Sequence, residues 1–168
     1  MNQKKRTILY LLLGLYGLFL IWVILLKAPI SPDDIQYISR MRHINLIPFY
    51  YDNEVDSHFN EVLMNVLVFI PFGLYLKLLN LDSKKAIGYG LAVSLVLEIL
   101  QFLFAIGGTD VTDLITNTGG TALGVMLYIA LIRVFRKKDT VDRVLMVLAS
   151  LGTAFIAAMS LLLIIANQ

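Results

Sequence analysis

Five apolar stretches, roughly residues 7 to 26, 60 to 79, 86 to 106, 112 to 135 and 143 to 166, approach or reach the ~20 helical residues needed to cross a hydrocarbon core. Backbone inside lipid has to satisfy its own hydrogen bonds, so segments of this length cross as helices. The pattern predicts an all-α polytopic membrane protein with five transmembrane helices in a single membrane domain over residues 1–168. Composition agrees: 58% of residues are hydrophobic and 15% charged, and the mean hydropathy is +0.78, far from a soluble domain. No Cys is present, which excludes a disulfide framework, a thiolate nucleophile and a Cys-based metal site, and two His leave little for zinc. A net charge of +2 is too small to point to nucleic acid.

The first stretch follows Lys4, Lys5 and Arg6 as a secretory signal would. Its apolar run is longer than a signal core, however, and "LLKAPISP" offers no small-x-small cleavage site. It reads as a retained signal-anchor helix over 7–26, with a further flanking helix at the other end over 143–166. Lys and Arg concentrate in cytoplasmic loops. With the N-terminus inside, eleven of the fourteen fall on that side, and only Lys27, Arg40 and Arg42 lie outside. The acidic residues Asp33, Asp34, Asp52, Glu54, Asp56, Glu61, Asp110 and Asp113 face outward in this arrangement, and an odd number of spans puts the C-terminus extracytoplasmic. The cell membrane is the expected location and membrane lipids are the expected surroundings.

The longest loop, 27 to 59, is then external. Pro29 and Pro32 stop the first helix, and "NLIPFYY", too short to span and rich in aromatics, is expected at the outer interface as an anchor or as part of a binding surface.

Against this apolar background, polar residues inside the helices stand out. With a rise of ~1.5 Å per residue, Glu98 lies ~13 Å below the exit of the third helix near Gly107, with Gln101 one turn higher on the same face. Asp113 and Asn117 share a face of the fourth helix, and Asn65 reaches a similar level on the second. These groups are expected to gather in the outer half of the bilayer. Ionisable groups at such depth normally face the bundle interior or a watery cavity. Glu98 is therefore either functional or hydrogen-bonded to Gln101 or Asn65, with Arg40, Arg42 and His43 as candidate counter-charges. Asp110 and Asp113 in "DVTD" fit a helix N-terminus, where a carboxylate takes a free N–H, or a weak cation pair; no metal or other cofactor is expected. Asn65 and Asn117 fit interhelical hydrogen bonding as well as ligand contact. Gly120 and Gly124 form a small-xxx-small packing face. Pro71 should kink the second helix, with Gly73 adding looseness, in a way that could shape a cavity beneath Asn65.

The order "NLIPF" (45 to 49), Asn65 before "FIPFG" (69 to 73), Glu98 and Gln101 as "ExxQ", then Asp110, Asp113, Asn117 and Gly120 as "DxxDxxxNxxG" resembles the VanZ-like family of small bacterial membrane proteins. The likeness covers about residues 40–135. Many members carry an Arg in the turn before the first Asp, where this chain reads "IGGT". The resemblance implies a cell-envelope protein associated with teicoplanin (glycopeptide) resistance. On that view Glu98, Gln101, Asp110, Asp113, Asn117, Asn65, Asn45 and Arg40 are candidates for holding an amphipathic ligand, either a cell-wall lipid precursor or a lipoglycopeptide. The alternatives are an intramembrane enzyme or a flippase acting on an envelope lipid. The enzyme has acid groups but no nucleophile triad or dense ligand set, so no catalytic residue is assigned. The flippase, with five helices and no inverted repeat, would need oligomerisation.

Overall fold

A computed structural model describes residues 3–25, 43–50, 55–106 and 108–166. Helix α1 (Gln3–Leu20) continues into a π-helical turn, Ile21–Leu25, and is followed by a three-residue strand β1 (His43–Asn45). Then come α2 (Val55–Leu78), α3 (Ser83–Phe104), a second short strand β2 (Gly108–Asp110), α4 (Val111–Phe135) and α5 (Lys138–Ala166). Among the described residues, the protein is all-α apart from these two strands. Among the described residues, four helical segments are long and apolar enough to cross a membrane: Gln3–Leu25, Phe59–Leu78, Ser83–Phe104 and Val111–Phe135. The fifth predicted stretch is helical as well and lies within α5, which is 29 residues long. Leu11, Leu18, Leu103, Met126 and Phe135 stand exposed on the outer faces, a surface suited to lipid rather than water.

The turns are set by local chemistry. At the end of α2 the N–H groups of Asn80 and Leu81 bond back to the carbonyls of Lys77 and Leu76. Asn80 adopts φ 62°, the left-handed conformation that closes this kind of helix end and that Asn tolerates. Asp82 then caps α3 by accepting the Lys84 N–H at 2.9 Å. That hydrogen bond, with smaller help from the Lys85 and Ser83 amides and the Lys77 charge, holds the Asp82 carboxyl below its ordinary range against a small opposing effect of burial. Lys77 ties the same turn together by donating to the Leu81 carbonyl at 2.9 Å.

Helix α3 ends earlier than the glycines suggest. Ala105 takes the left-handed conformation at φ 53°, and the Ile106 N–H bonds to the Gln101 carbonyl at 3.0 Å. The chain then runs extended through β2, which pairs in parallel with β1 in the register His43 with Gly108, Ile44 with Thr109 and Asn45 with Asp110. The segment before α2 is thereby fastened to the turn between α3 and α4.

The tightest packing joins α2 to α4. A Cβ added at Gly124 would lie 2.1 Å from the Ile70 carbonyl oxygen, one at Gly120 2.4 Å from that of Val66, and one at Gly73 2.3 Å from that of Thr121. The small-residue face of α4 therefore does bring another helix to backbone contact, as expected. Gly73 corrects the expectation of looseness: it is a contact point, where only a missing side chain lets the backbones approach. Gly90 extends the tight packing to α3, since a Cβ there would clash with the Thr121 side chain. Pro71 lies inside α2 and has no N–H to offer the preceding turn. In that turn the Val68 carbonyl accepts the Tyr16 hydroxyl from α1.

Candidate functional site

Asp110 is the centre of the polar end of the bundle. Its backbone N–H donates to Glu98 Oε2 at 2.9 Å. Its Oδ1 accepts the Thr112 N–H at 2.7 Å, capping α4, and its Oδ2 accepts Asn45 Nδ2 at 3.0 Å. Asn45 is itself built into a turn, with Oδ1 accepting the Ile47 N–H at 3.1 Å and Nδ2 also reaching the Tyr50 carbonyl at 3.3 Å. The Phe49 N–H donates to Thr112 Oγ1 at 3.0 Å, and Thr109 Oγ1 donates to the Glu98 carbonyl at 3.2 Å. The N-terminal end of α4 thus clamps the "NLIPF" turn through Asp110 and Thr112 and the end of α3 through Glu98.

The capping expectation for Asp110 holds, but capping occupies only one carboxylate oxygen. The other fastens the loop. Asp113 does not share this role: its Oδ1 accepts Asn65 Nδ2 from α2 at 2.7 Å. The carboxylate of Asp110 is thus drawn to Asn45 of β1 and that of Asp113 to α2, and among the described residues no group of three His, Asp or Glu side chains is arranged around a cation.

A deeper layer lies beneath. Glu98 and Gln101 are each 2% exposed, Asn117 0% and Asn65 5%. Asn117 Nδ2 donates to Ser94 Oγ at 3.0 Å, joining α4 to α3. Gln101 Nε2 donates to the Ile24 carbonyl at 2.9 Å, tying α3 to the π-helical turn that follows α1. The polar residues do collect at one end of the bundle. The expectation that Glu98 bonds to Gln101 or Asn65 is replaced by its bond to the Asp110 backbone, because the α3–α4 turn folds back over Glu98 and presents an N–H to it. Among the described residues, Gln101 Oε1 and Asn117 Oδ1 are buried acceptors with no donor, unusual where most buried polar atoms are paired.

Arg40, Arg42, Pro29 and Pro32 lie outside the described residues, as does the side chain of His43. Reasoning from sequence missed Ser94 and Thr112, both of which join the network. Ser94 had a signal: it sits four residues before Glu98, on the same helix face. Thr112 lies inside the quoted "DVTD", where the two carboxylates drew the attention. Pro71 does line a cavity, but with Tyr16, Tyr75, Leu148 and Thr153 rather than with Asn65.

These features define a class of small helical protein with helices able to cross a bilayer and a polar network buried at one end. The chain belongs to the family described as VanZ/LLP1, which matches residues 13–136, from within α1 to the end of α4. It is 43% identical to Protein VanZ of Enterococcus faecium over 122 residues, 70% of this chain and 71% of that protein. No solved structure matches it.

Proposed function

We propose that this protein sits in the bacterial plasma membrane with five spans, its N-terminus cytoplasmic and its C-terminus outside, and contributes to glycopeptide resistance of the teicoplanin type. In this reading it holds an amphipathic envelope lipid or lipoglycopeptide at the outer leaflet and performs no catalysis. The observation that carries the reading is the combination at one end of the bundle: an apolar turn, with Leu46 74% and Phe49 54% exposed, clamped directly over a buried polar network. An amphipathic ligand needs these two surfaces side by side, an apolar lip for a chain and polar groups for a head. The half-buried Asp110 and Asp113, with the donorless oxygens of Gln101 and Asn117 beneath them, supply the polar part. The family relationship to Protein VanZ and the distribution of basic residues give the envelope role and the topology their support.

The test is the paired substitution Glu98→Ala with Asp113→Ala in a susceptible bacterial host. Teicoplanin resistance conferred by the intact protein is expected to disappear, measured per amount of protein in the membrane because orphaning the Asp110 N–H costs roughly 1–3 kcal/mol, and Glu98→Gln with Asp113→Asn, which keeps an acceptor oxygen at each position, is expected to restore abundance without restoring resistance. Full resistance in the double variant would overturn the proposal.

A further inference from the structure

The opposite end of the bundle brings together the start of α1, the α2–α3 turn and the start of α5. Two cavities open there along α2 and α5. The first, about 340 Å³, lies at the helix ends and is lined by Lys5, Asn80, Lys138 and Arg143 with Leu9 and Met146. The second, about 250 Å³, is almost wholly apolar and lies deeper, between Tyr16, Pro71, Tyr75, Leu148 and Gly152. Leu78 lines both, so the basic mouth and the apolar groove adjoin along one side of α2.

The charges at the mouth are not all taken up internally. Asp142, which also lines it, is engaged: it accepts the Tyr128 hydroxyl at 2.7 Å and Lys138 Nζ at 3.0 Å. Lys138 also donates to Asn80 Oδ1 at 2.8 Å. Lys5 and Arg143 make no hydrogen bond or ion pair among the described residues. The remaining acidic residue of the mouth, Asp139, is exposed. A basic pocket between helices at the membrane surface is suited to an anionic lipid headgroup. A groove lined by Pro71, Leu148 and the bare backbone of Gly152, where nothing lies within 4 Å of an added Cβ, is suited to a hydrocarbon chain.

We infer that this mouth and groove form a binding site for an anionic phospholipid, with the phosphate held by Lys5 and Arg143 and one acyl chain lying between α2 and α5. The occupant is a lipid rather than a free phosphate because the basic mouth leads into an apolar groove that a free ion cannot use. The site lies at the far end from Glu98 and Asp110 and stands independently of the function proposed above.

The experiment is native mass spectrometry of the full chain released from micelles holding equal amounts of phosphatidylglycerol and phosphatidylcholine. The intact protein is expected to retain phosphatidylglycerol about fivefold or more over phosphatidylcholine, roughly the effect of one surface cation on an anionic lipid. Lys5→Gln with Arg143→Gln should abolish the preference, and Gly152→Leu should lower retention of both lipids by filling the groove. Added inorganic phosphate should leave the bound lipid in place. Equal retention by the intact protein, an unchanged preference in the Lys5 and Arg143 variant, unchanged retention by Gly152→Leu, or displacement by inorganic phosphate would each overturn the inference.

Discussion

Helix α2 meets its neighbours in two different ways. Toward α4 it is pressed backbone to backbone at Gly73, Gly120 and Gly124. Toward α5 it presents Pro71, Tyr75 and Leu78 and leaves a cavity of about 250 Å³. The difference follows from side-chain size. Where α4 supplies glycines, carbonyl oxygens occupy the space that a Cβ would need, and dispersion contacts and hydrogen bonds such as Asn65 to Asp113 hold the pair, since lipid gives no hydrophobic drive between helices. Between α2 and α5, Pro71, Tyr75 and Leu78 stand opposite Leu148, Ala149 and Gly152 without interlocking and leave space that a lipid chain could fill.

The contrast can be broken most sharply at Gly124. Gly124→Leu places a side chain against the Ile70 carbonyl, 2.1 Å from its Cβ. Overpacking against unyielding backbone should reach or exceed ~3 kcal/mol, seen as loss of the monodisperse detergent-solubilised species and a large fall in melting temperature. Next is the fastening at Glu98. Glu98→Leu removes the acceptor of the Asp110 N–H, and a buried donor left unpaired costs roughly 1–3 kcal/mol. Glu98→Gln keeps an acceptor oxygen and should lie closer to the intact protein in the same melting assay.

On the loose side, Gly152→Leu meets open space and should change stability by less than about 0.5 kcal/mol, or raise it slightly through better helix propensity. If Gly152→Leu and Gly124→Leu destabilised equally, the difference between the two sides of α2 would not be one of packing. The smallest effect concerns the α2–α3 turn. Hydrogen bonding lowers the Asp82 carboxyl from its ordinary value of 3.8, so its stabilising contribution is present above that value and fades as pH falls through the lower folded one. The melting temperatures of the intact protein and Asp82→Ala should therefore differ slightly at neutral pH and converge at pH values below 3.8.

Much of the architecture was legible in the sequence, because helix formation in an apolar stretch is a local matter of length and composition. The positions of α2, α3 and α4, the packing face at Gly120 and Gly124, and the cap at Asp110 all rest on residues within a few turns of one another. The exit of the third helix, expected near residue 107, was placed slightly too late. The helix closes instead at Ala105, where the returning N–H of Ile106 and the pairing of β2 with β1 hold a residue type that rarely adopts that backbone. Gly73 was also misread: a glycine loosens a helix or permits close contact according to what stands opposite, and what stands opposite is Thr121 on another helix.

By itself, then, the sequence determined that this chain forms apolar helices, that its polar residues sit toward one end, and that Asp110 begins a helix. Only the tertiary structure decided which groups those polar residues hold. The Asn45 to Asp110 bond spans 65 positions and the Asn65 to Asp113 bond 48. Such pairings depend on the relative rotation and depth of helices packed through glycine contacts, and neither periodicity nor composition within one helix carries that information.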